Sequence, residues 1–153
     1  MNTKIVTTDK AFTFDEFYGH YVKKYLPQYY MFFPNRGYIV WRFGTGENIE
    51  LLHIRSFKTG QGLGQRLIKA MLREIKRHPP YHSVFGMTLA SNTSAVKLYQ
   101  KAGFNTMECP FPYKDGNSIV FYQSFDVLCQ TLLADDDGDP HLVQNVVKSE
   151  SLR

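Results

Sequence analysis

Three glycines stand at alternate positions in the segment Gly60-Gln61-Gly62-Leu63-Gly64, between a strand-like run and a helix-like run. Such a loop leaves backbone N–H groups exposed at the positive end of a helix dipole, where phosphate groups bind. The spacing fits neither the Walker loop nor the dinucleotide fingerprint G-x-G-x-x-G. We therefore predict a pyrophosphate-binding nest. The alternative is that the glycines only permit positive φ in a tight turn.

The flanking sequence predicts the elements that position this loop. "GYIVWRF" and "NIELLHIRS" read as a hairpin before it, and "SVFGMTLA" as a strand buried on both faces after it. "NTSAVKLYQKAGF" predicts a helix that ends at Gly103, and "SIVFYQSF" another strand. "KIVTT" predicts an early strand, and "TFDEFYGHYVKKYL" a helix capped by Thr13 and ended by Pro27. Helical spacing after the glycines is shown by Leu63, Leu67, Ala70, Met71 and Ile75.

Composition limits the class of protein. The 153 residues are 43% hydrophobic and carry a net charge of +4, which fits one globular domain. We predict a basic domain over 1–133 and an acidic, mobile tail over 134–153 that begins at "DDDGDP". No apolar run approaches the roughly 20 residues of a membrane span, so we expect a cytoplasmic protein. Cys109 and Cys129 have neither metal-ligand nor disulfide spacing, so no metal site is predicted.

Two motifs together resemble the GNAT superfamily of N-acetyltransferases. The family's coenzyme motif is Arg or Gln, then any two residues, Gly, any one residue, and Gly or Ala. The segment from Thr59 to Gly64 is similar to it. Its second motif is matched by Asn92, Ala95, Tyr99 and Gly103-Phe104. The resemblance implies an α/β GNAT-type fold, with a mixed, mostly antiparallel sheet of about six or seven strands, flanking helices and splayed central strands that hold the coenzyme.

The resemblance also implies acetyl-coenzyme A as the cosubstrate. Its pantetheine would bond the backbone of the strand before the loop, and its pyrophosphate would bond the loop. Thr59 stands where the family usually has Arg or Gln, and Lys58 is expected to supply the missing charge. The positions assigned to the coenzyme in this way are Leu52, Ile54, Lys58, Thr59, Gly60, Gln61, Gly62, Leu63, Gly64, Gln65, Asn92 and Tyr99.

Acetyl transfer to an amine needs a group that removes a proton from the ammonium, whose reference pKa is near 10.4. In the family this group often lies on the strand before the loop, which here offers Glu50 and His53 on opposite faces of a regular strand. We favour Glu50, with a water chain or His53 as alternatives. Glu50 could instead only form an ion pair with an arginine such as Arg42, and His53 could be a packed or surface residue.

By its family position, Tyr99 would protonate the leaving thiolate. The alternative interpretation of Tyr99 is a core aromatic residue beside Ala95 and Leu98. A covalent mechanism through either cysteine is disfavoured, since direct transfer needs no nucleophile on the enzyme and no histidine lies near them in sequence.

The acceptor is open at the level of sequence. It could be an amine of a small molecule, a protein or a nucleic acid, and the chain could be a monomer or a homodimer. Aromatic residues are dense between Phe12 and Phe33, and a few of them could line an acceptor pocket. A second hypothesis is a non-catalytic module that uses the coenzyme fold to bind a nucleic acid or a protein.

Overall fold

A mixed sheet forms the centre of the protein. The computed structural model describes residues 12–23, 29–58, 60, 62–77, 81–109, 116–134 and 147–148. Within these residues, seven strands form one sheet. The strands are β1 (Tyr29–Phe33), β2 (Gly37–Phe43), β3 (Asn48–Ser56), β4 (Ser83–Leu89), β5 (Asn105–Glu108), β6 (Ser118–Ser124) and β7 (Val147–Lys148).

Four α-helices lie in the described part of the chain. They are α1 (Phe14–Phe17), α2 (Leu63–Ile75), α3 (Thr93–Ala102) and α4 (Phe125–Leu132), and α1 continues directly as a π-helical turn over Tyr18–Val22. Thr13 caps α1, since its hydroxyl accepts a hydrogen bond from the Glu16 N–H while the Glu16 carboxylate accepts one from the Thr13 N–H. The expected N-cap is confirmed. The early strand and Pro27 lie outside the described residues.

The strand order is β5-β6-β4-β3-β2-β1-β7. Every neighbouring pair is antiparallel except β3 and β4, which are parallel. The mixed, mostly antiparallel sheet is therefore confirmed, as is the hairpin of β2 and β3, which a short turn at Thr45–Glu47 connects. At the far edge, β7 pairs with Tyr29 and Tyr30 of β1. The boundary between the domain and the tail at 133/134 stays a prediction.

The two faces of the sheet carry different cores. On the helical face, α2, α3 and α4 pack over a cluster that includes Trp41, Ile49 and Phe121. On the opposite, aromatic face, Phe17 and Val22 of the first helical segment pack on Tyr38 and Val40. The expected apolar stripe of α2 is confirmed, because Leu63, Leu67, Ala70, Met71 and Ile75 are all buried.

One expectation about the second half of the chain was wrong. β4 is not buried on both faces: Val84 lies in the helical-face cluster, but the Met87 side chain is 43% exposed. The strand expected over "SIVFYQSF" is confirmed as β6, except that its last residue, Phe125, begins α4. The Ser124 hydroxyl accepts a hydrogen bond from the Val127 N–H and so caps α4.

The lengths and polarities of the helices show whether any of them could span a membrane. None of the helices in the described residues has both the length and the apolarity that crossing a lipid bilayer requires.

Candidate active site

The central parallel strands separate along their length. The ladder between β3 and β4 pairs Asn48, Ile49 and Glu50 with Ser83, Val84 and Phe85, and it ends there. Beyond that point β3 follows β2 and β4 follows β6, so the two strands splay apart as expected. Gly86 lies at the point of divergence. A Cβ atom there would stand 2.7 Å from the Leu51 carbonyl oxygen, so this close approach of the backbones requires glycine.

A β-bulge in β3 changes which side chains share a face. Val40 of β2 lies opposite His53, but Trp41 lies opposite Leu51, so Leu52 is the extra residue of the bulge. Cross-strand partners lie on the same face, and β2 presents Val40 on the aromatic face. Glu50 and His53 are therefore on the same, aromatic face. The expectation of opposite faces was wrong because regular alternation does not hold across a bulge.

The surroundings of Glu50 and His53 differ. The Glu50 carboxylate accepts a hydrogen bond from Arg42 Nε at 2.8 Å, so the alternative ion pair is present. The edge of the His53 ring packs on Tyr21, with 4.8 Å between ring centres. Burial lowers the pKa of His53, so its imidazole is neutral at pH 7. The Glu50 carboxylate and the His53 imidazole are therefore both candidate proton acceptors.

The glycine loop serves two purposes. Gly60 and Gly62 have φ values of 76° and 67°, and a Cβ atom at either position would meet no atom within 4 Å. They therefore provide left-handed backbone beside open space, just before α2 begins at Leu63. Gly64 is different, because a Cβ atom there would lie 2.9 Å from Leu98 Cδ2. The first two glycines shape the loop, and the third allows α2 to pack closely on α3.

A cavity of about 460 Å³ joins the end of β3, the glycine loop and α3. Its described lining contains three cations, Arg55, Lys58 and Lys101, and no acidic side chain. The first N–H groups of α2 have no partners within the helix, and they add to the positive potential at this end. The lining residues are Ile54, Arg55, Ser56, Lys58, Gly60, Gly62, Leu63, Gly64, Gln65, Asn92, Ser94, Ala95, Leu98 and Lys101.

Local hydrogen bonds hold the walls of the cavity. The Ser56 hydroxyl donates to the Lys58 carbonyl oxygen at 2.8 Å, which folds the chain back directly after β3. The Asn92 side-chain oxygen accepts from the Ala95 N–H at 3.2 Å and so caps α3. The Arg55 guanidinium lies 4.6 Å from the centre of the Phe12 ring, a cation–π contact.

Tyr99 lies behind this cavity and not in its described lining. Its side chain is 5% exposed, and its ring stacks on Phe121 with 3.7 Å between ring centres and meets the edge of Phe104. Burial raises the pKa of the Tyr99 phenol, so the group keeps its proton through the neutral and mildly alkaline range. Gly86 is needed here too, since a Cβ atom at this position would collide with the Phe121 ring.

The structure brings most of the expected coenzyme positions together. The cavity is lined by Ile54, Lys58, Gly60, Gly62, Leu63, Gly64, Gln65 and Asn92. Leu52 and Tyr99, and the expected base Glu50, are not in its described lining. Thr59 and Gln61 lie outside the described residues. Sequence reasoning did not assign the remaining lining residues to the site, namely Arg55, Ser56, Ser94, Ala95, Leu98 and Lys101. Those on α3 recur at helical spacing and so share one face of the helix, and that signal could have found them.

Comparisons with known proteins agree with this geometry. A family model described as an acetyltransferase (GNAT) domain matches residues 10–123. A search of curated proteins gave no match. The fold is similar to that of Ard1 from Thermoplasma volcanium, at 22% identity and a TM-score of 0.51 over 58% of this chain and 62% of that chain. It is also similar to an IAA acetyltransferase from Bacillus cereus, at 20% identity and a TM-score of 0.53 over 58% of this chain and 69% of that one.

At these identities the solved structures establish the fold alone, and the chain spans about three fifths of the length of the Thermoplasma protein. The family model is more extensive, because it covers well over half of the chain, from the first described helix through β6. The splayed strands, the glycine loop and the cavity all fall inside that span. The chain therefore belongs to the GNAT acetyltransferase family.

Proposed function

We propose that this protein transfers an acetyl group from acetyl-coenzyme A to a primary amine. The observation that carries the proposal is the cavity that joins Gly60 and Gly62, the start of α2 and the end of β3. The left-handed glycines leave open space where other residues would place a Cβ atom, so the backbone can approach a pyrophosphate. The cationic lining, which contains no acid among its described residues, fits a polyanionic ligand.

The coenzyme supplies a thioester, an activated acetyl group that a free amine can attack directly. The chain's part is to hold the thioester carbonyl at the point where β3 and β4 diverge. There the backbone of β3, from Leu52 to Ile54, is no longer laddered to β4. N–H groups at such an edge can bond the pantetheine and polarise the carbonyl, which favours the transition state.

Glu50 is our proposed proton acceptor for the attacking amine. Arg42 holds its carboxylate from one side, and the exposed fraction of the Glu50 side chain, 26%, leaves it open to solvent or an acceptor. His53 is the alternative, because it lies on the same face and is neutral at pH 7. A water chain between them would serve equally well in removing the proton.

Tyr99 is the proposed proton donor to the departing thiolate. Burial raises the pKa of the phenol, which keeps its proton in place before transfer but also makes it a weaker acid than a free tyrosine. Stacking on Phe121 restricts the ring to one orientation. This restriction lowers the cost of positioning the hydroxyl during each turnover.

The proposal is tested by the effect of acetyl-coenzyme A on the melting temperature and by thiol release in the presence of amines. The ligand should raise the melting temperature of the native protein. Gly62→Asp places a carboxylate in the open space beside the loop and should abolish that rise. Gly46→Asp is the matched control, because Gly46 has nearly the same φ, 68°, but lies in the turn between β2 and β3.

Three results would argue against the proposal. Equal stabilisation of native protein and Gly62→Asp would show that the coenzyme does not bind at the glycine loop. Loss of stabilisation in Gly46→Asp would show that the effect is not local. Coenzyme binding without thiol release for any amine would favour the non-catalytic binding module.

A further inference from the structure

Lys101 contributes a cation to the cavity from an element distinct from the glycine loop. It lies in the last turn of α3, on the helix face that also carries Ser94 and Leu98. At about 1.5 Å per residue, it stands roughly 13 Å along the helix from the Asn92 cap. The ammonium forms no ion pair or hydrogen bond with the described residues. It is therefore available to a ligand in the cavity.

The packing of α2 on α3 fixes where Lys101 stands relative to the loop. Gly64, in the first turn of α2, packs against Leu98, and Lys101 is the next cavity-lining residue, about one helical turn further along α3. Lys58 lies on the other side, in the loop itself, with its carbonyl held by Ser56. The cavity thus presents one lysine in the glycine loop and a second lysine on α3, about one turn from the residue that packs on Gly64.

The proposed ligand has phosphate groups in a corresponding arrangement. Coenzyme A carries a pyrophosphate and, one ribose away, a 3′-phosphate monoester. A phosphate monoester has a second pKa near 6, so at pH 7 it is largely a dianion. The nest of N–H groups with Lys58 accounts for the pyrophosphate. The third cation, Arg55, is held over the Phe12 ring, and the described lining has no acid to neutralise Lys101, so Lys101 is the cation left for the monoester.

We propose that Lys101 binds the 3′-phosphate of the coenzyme and makes the protein selective for coenzyme A over dephospho-coenzyme A. The inference rests on the proposed function, because it takes coenzyme A as the occupant of the cavity. It adds a specificity-determining residue that the family motifs did not assign. The competing structural role is a cation that stabilises the C-terminal end of the α3 dipole, which would affect stability without distinguishing the two ligands.

Direct binding separates these roles. Isothermal titration calorimetry would give the Kd of coenzyme A and of dephospho-coenzyme A for the native protein, Lys101→Ala, Lys101→Arg and Lys97→Ala. Lys97 is the matched control, since it is an exposed lysine one turn earlier on α3 that does not line the cavity. A second measurement, the melting temperature without ligand, reports any loss of helix stability.

The native protein should bind coenzyme A about tenfold more tightly than dephospho-coenzyme A, the lower end for a charge-assisted contact at an exposed site. Lys101→Ala should remove this preference by weakening only the binding of coenzyme A. Lys101→Arg should retain most of the preference, and Lys97→Ala should retain all of it. The native preference should shrink as salt rises, because the lysine is exposed.

The outcomes distinguish this inference from the proposed function. Equal affinity of the native protein for the two ligands, or equal weakening of both by Lys101→Ala, would overturn the role of Lys101 even if acetyl transfer is observed. If the preference depends on Lys101 but no thiol is released with any amine, the role of Lys101 is upheld and the proposed acetyl transfer is refuted. No binding of coenzyme A by the native protein would overturn both.

Discussion

Glu50 and His53 lie on the same face of β3, although three positions separate them in sequence, because Leu52 is the extra residue of a bulge. On the proposed function, we expect an amine that approaches the diverging strands from the aromatic face to meet both side chains. Separate substitution of each side chain determines which of the two accepts the proton.

With Glu50 as the base, Glu50→Gln should lower kcat at neutral pH by about 10²-fold or more, and activity should recover as the pH rises and more of the amine is free. The measurement is the pH profile of thiol release. Glu108→Gln, on the exposed edge strand β5, is the control and should behave like the native enzyme. A large loss in His53→Gln instead would identify His53, and little loss in either variant would point to a water chain.

Tyr99→Phe should lower kcat by roughly 10²-fold while the Kd of the coenzyme stays nearly unchanged, since only the donated proton is lost. The stacking on Phe121 remains in this variant, so its melting temperature should stay close to the native value. Tyr122→Phe, at an exposed position of β6, provides the control. Unaltered turnover in Tyr99→Phe would leave Tyr99 as a core residue alone.

We expect His53 to make the stability of the fold depend on pH. Burial lowers its pKa in the folded state below the unfolded value of 6.5, so the unfolded chain binds more protons as the pH falls through 6.5. The free energy of unfolding should therefore decrease on acidification, by at most about 1.4 kcal/mol for each unit of pKa lowering. Urea unfolding between pH 5 and 8 measures this dependence.

In that experiment His53→Gln should flatten the slope below pH 7. A slope that is the same in native protein and His53→Gln would assign the pH dependence to other groups.

Gly86→Ala should destabilise the fold by about 1–3 kcal/mol, the usual range for overpacking. The added Cβ atom would meet the Leu51 carbonyl oxygen and the Phe121 ring. Because Tyr99 stacks on that ring, we also expect kcat to fall. Gly44→Ala is the control, since a Cβ atom there has only ordinary contact with its surroundings. Native stability in Gly86→Ala would mean that the strands part at this point without needing glycine.

The sequence predicts those features that follow from regular periodicity. The stripe from Leu63 to Ile75 repeats as a helix does, and all its members are buried. The glycine loop and the Asn92 cap depend on local chemistry, and both lie at the cavity. These are the parts of the site that short-range rules describe.

What the sequence did not predict depends on tertiary context. The bulge at Leu52 breaks an alternation that no local residue type marks, and so the faces of Glu50 and His53 were assigned wrongly. The exposure of Met87 depends on helices packing over only one face of β4. α4 was missed because its short apolar run continues that of β6, and helix and strand are hard to separate in such runs.

The short ladder between β3 and β4 also has a mechanical meaning. Among the described residues, the ladder that joins β1–β3 and β7 to β4–β6 has only three residue pairs, and one more backbone hydrogen bond runs beside it, from the His82 N–H to the Glu47 carbonyl oxygen. We therefore expect the two halves to open as separate cooperative units, with the packing of α2 and its neighbours and the hydrogen bond from the Ser83 hydroxyl to Asn48 resisting the separation. A ligand that binds between β3 and β4 and forms hydrogen bonds with the free edge of β3 would take the place of a strand there, and only while it is bound. The protein would then be stiffest while its cosubstrate is bound and loosest after the product leaves.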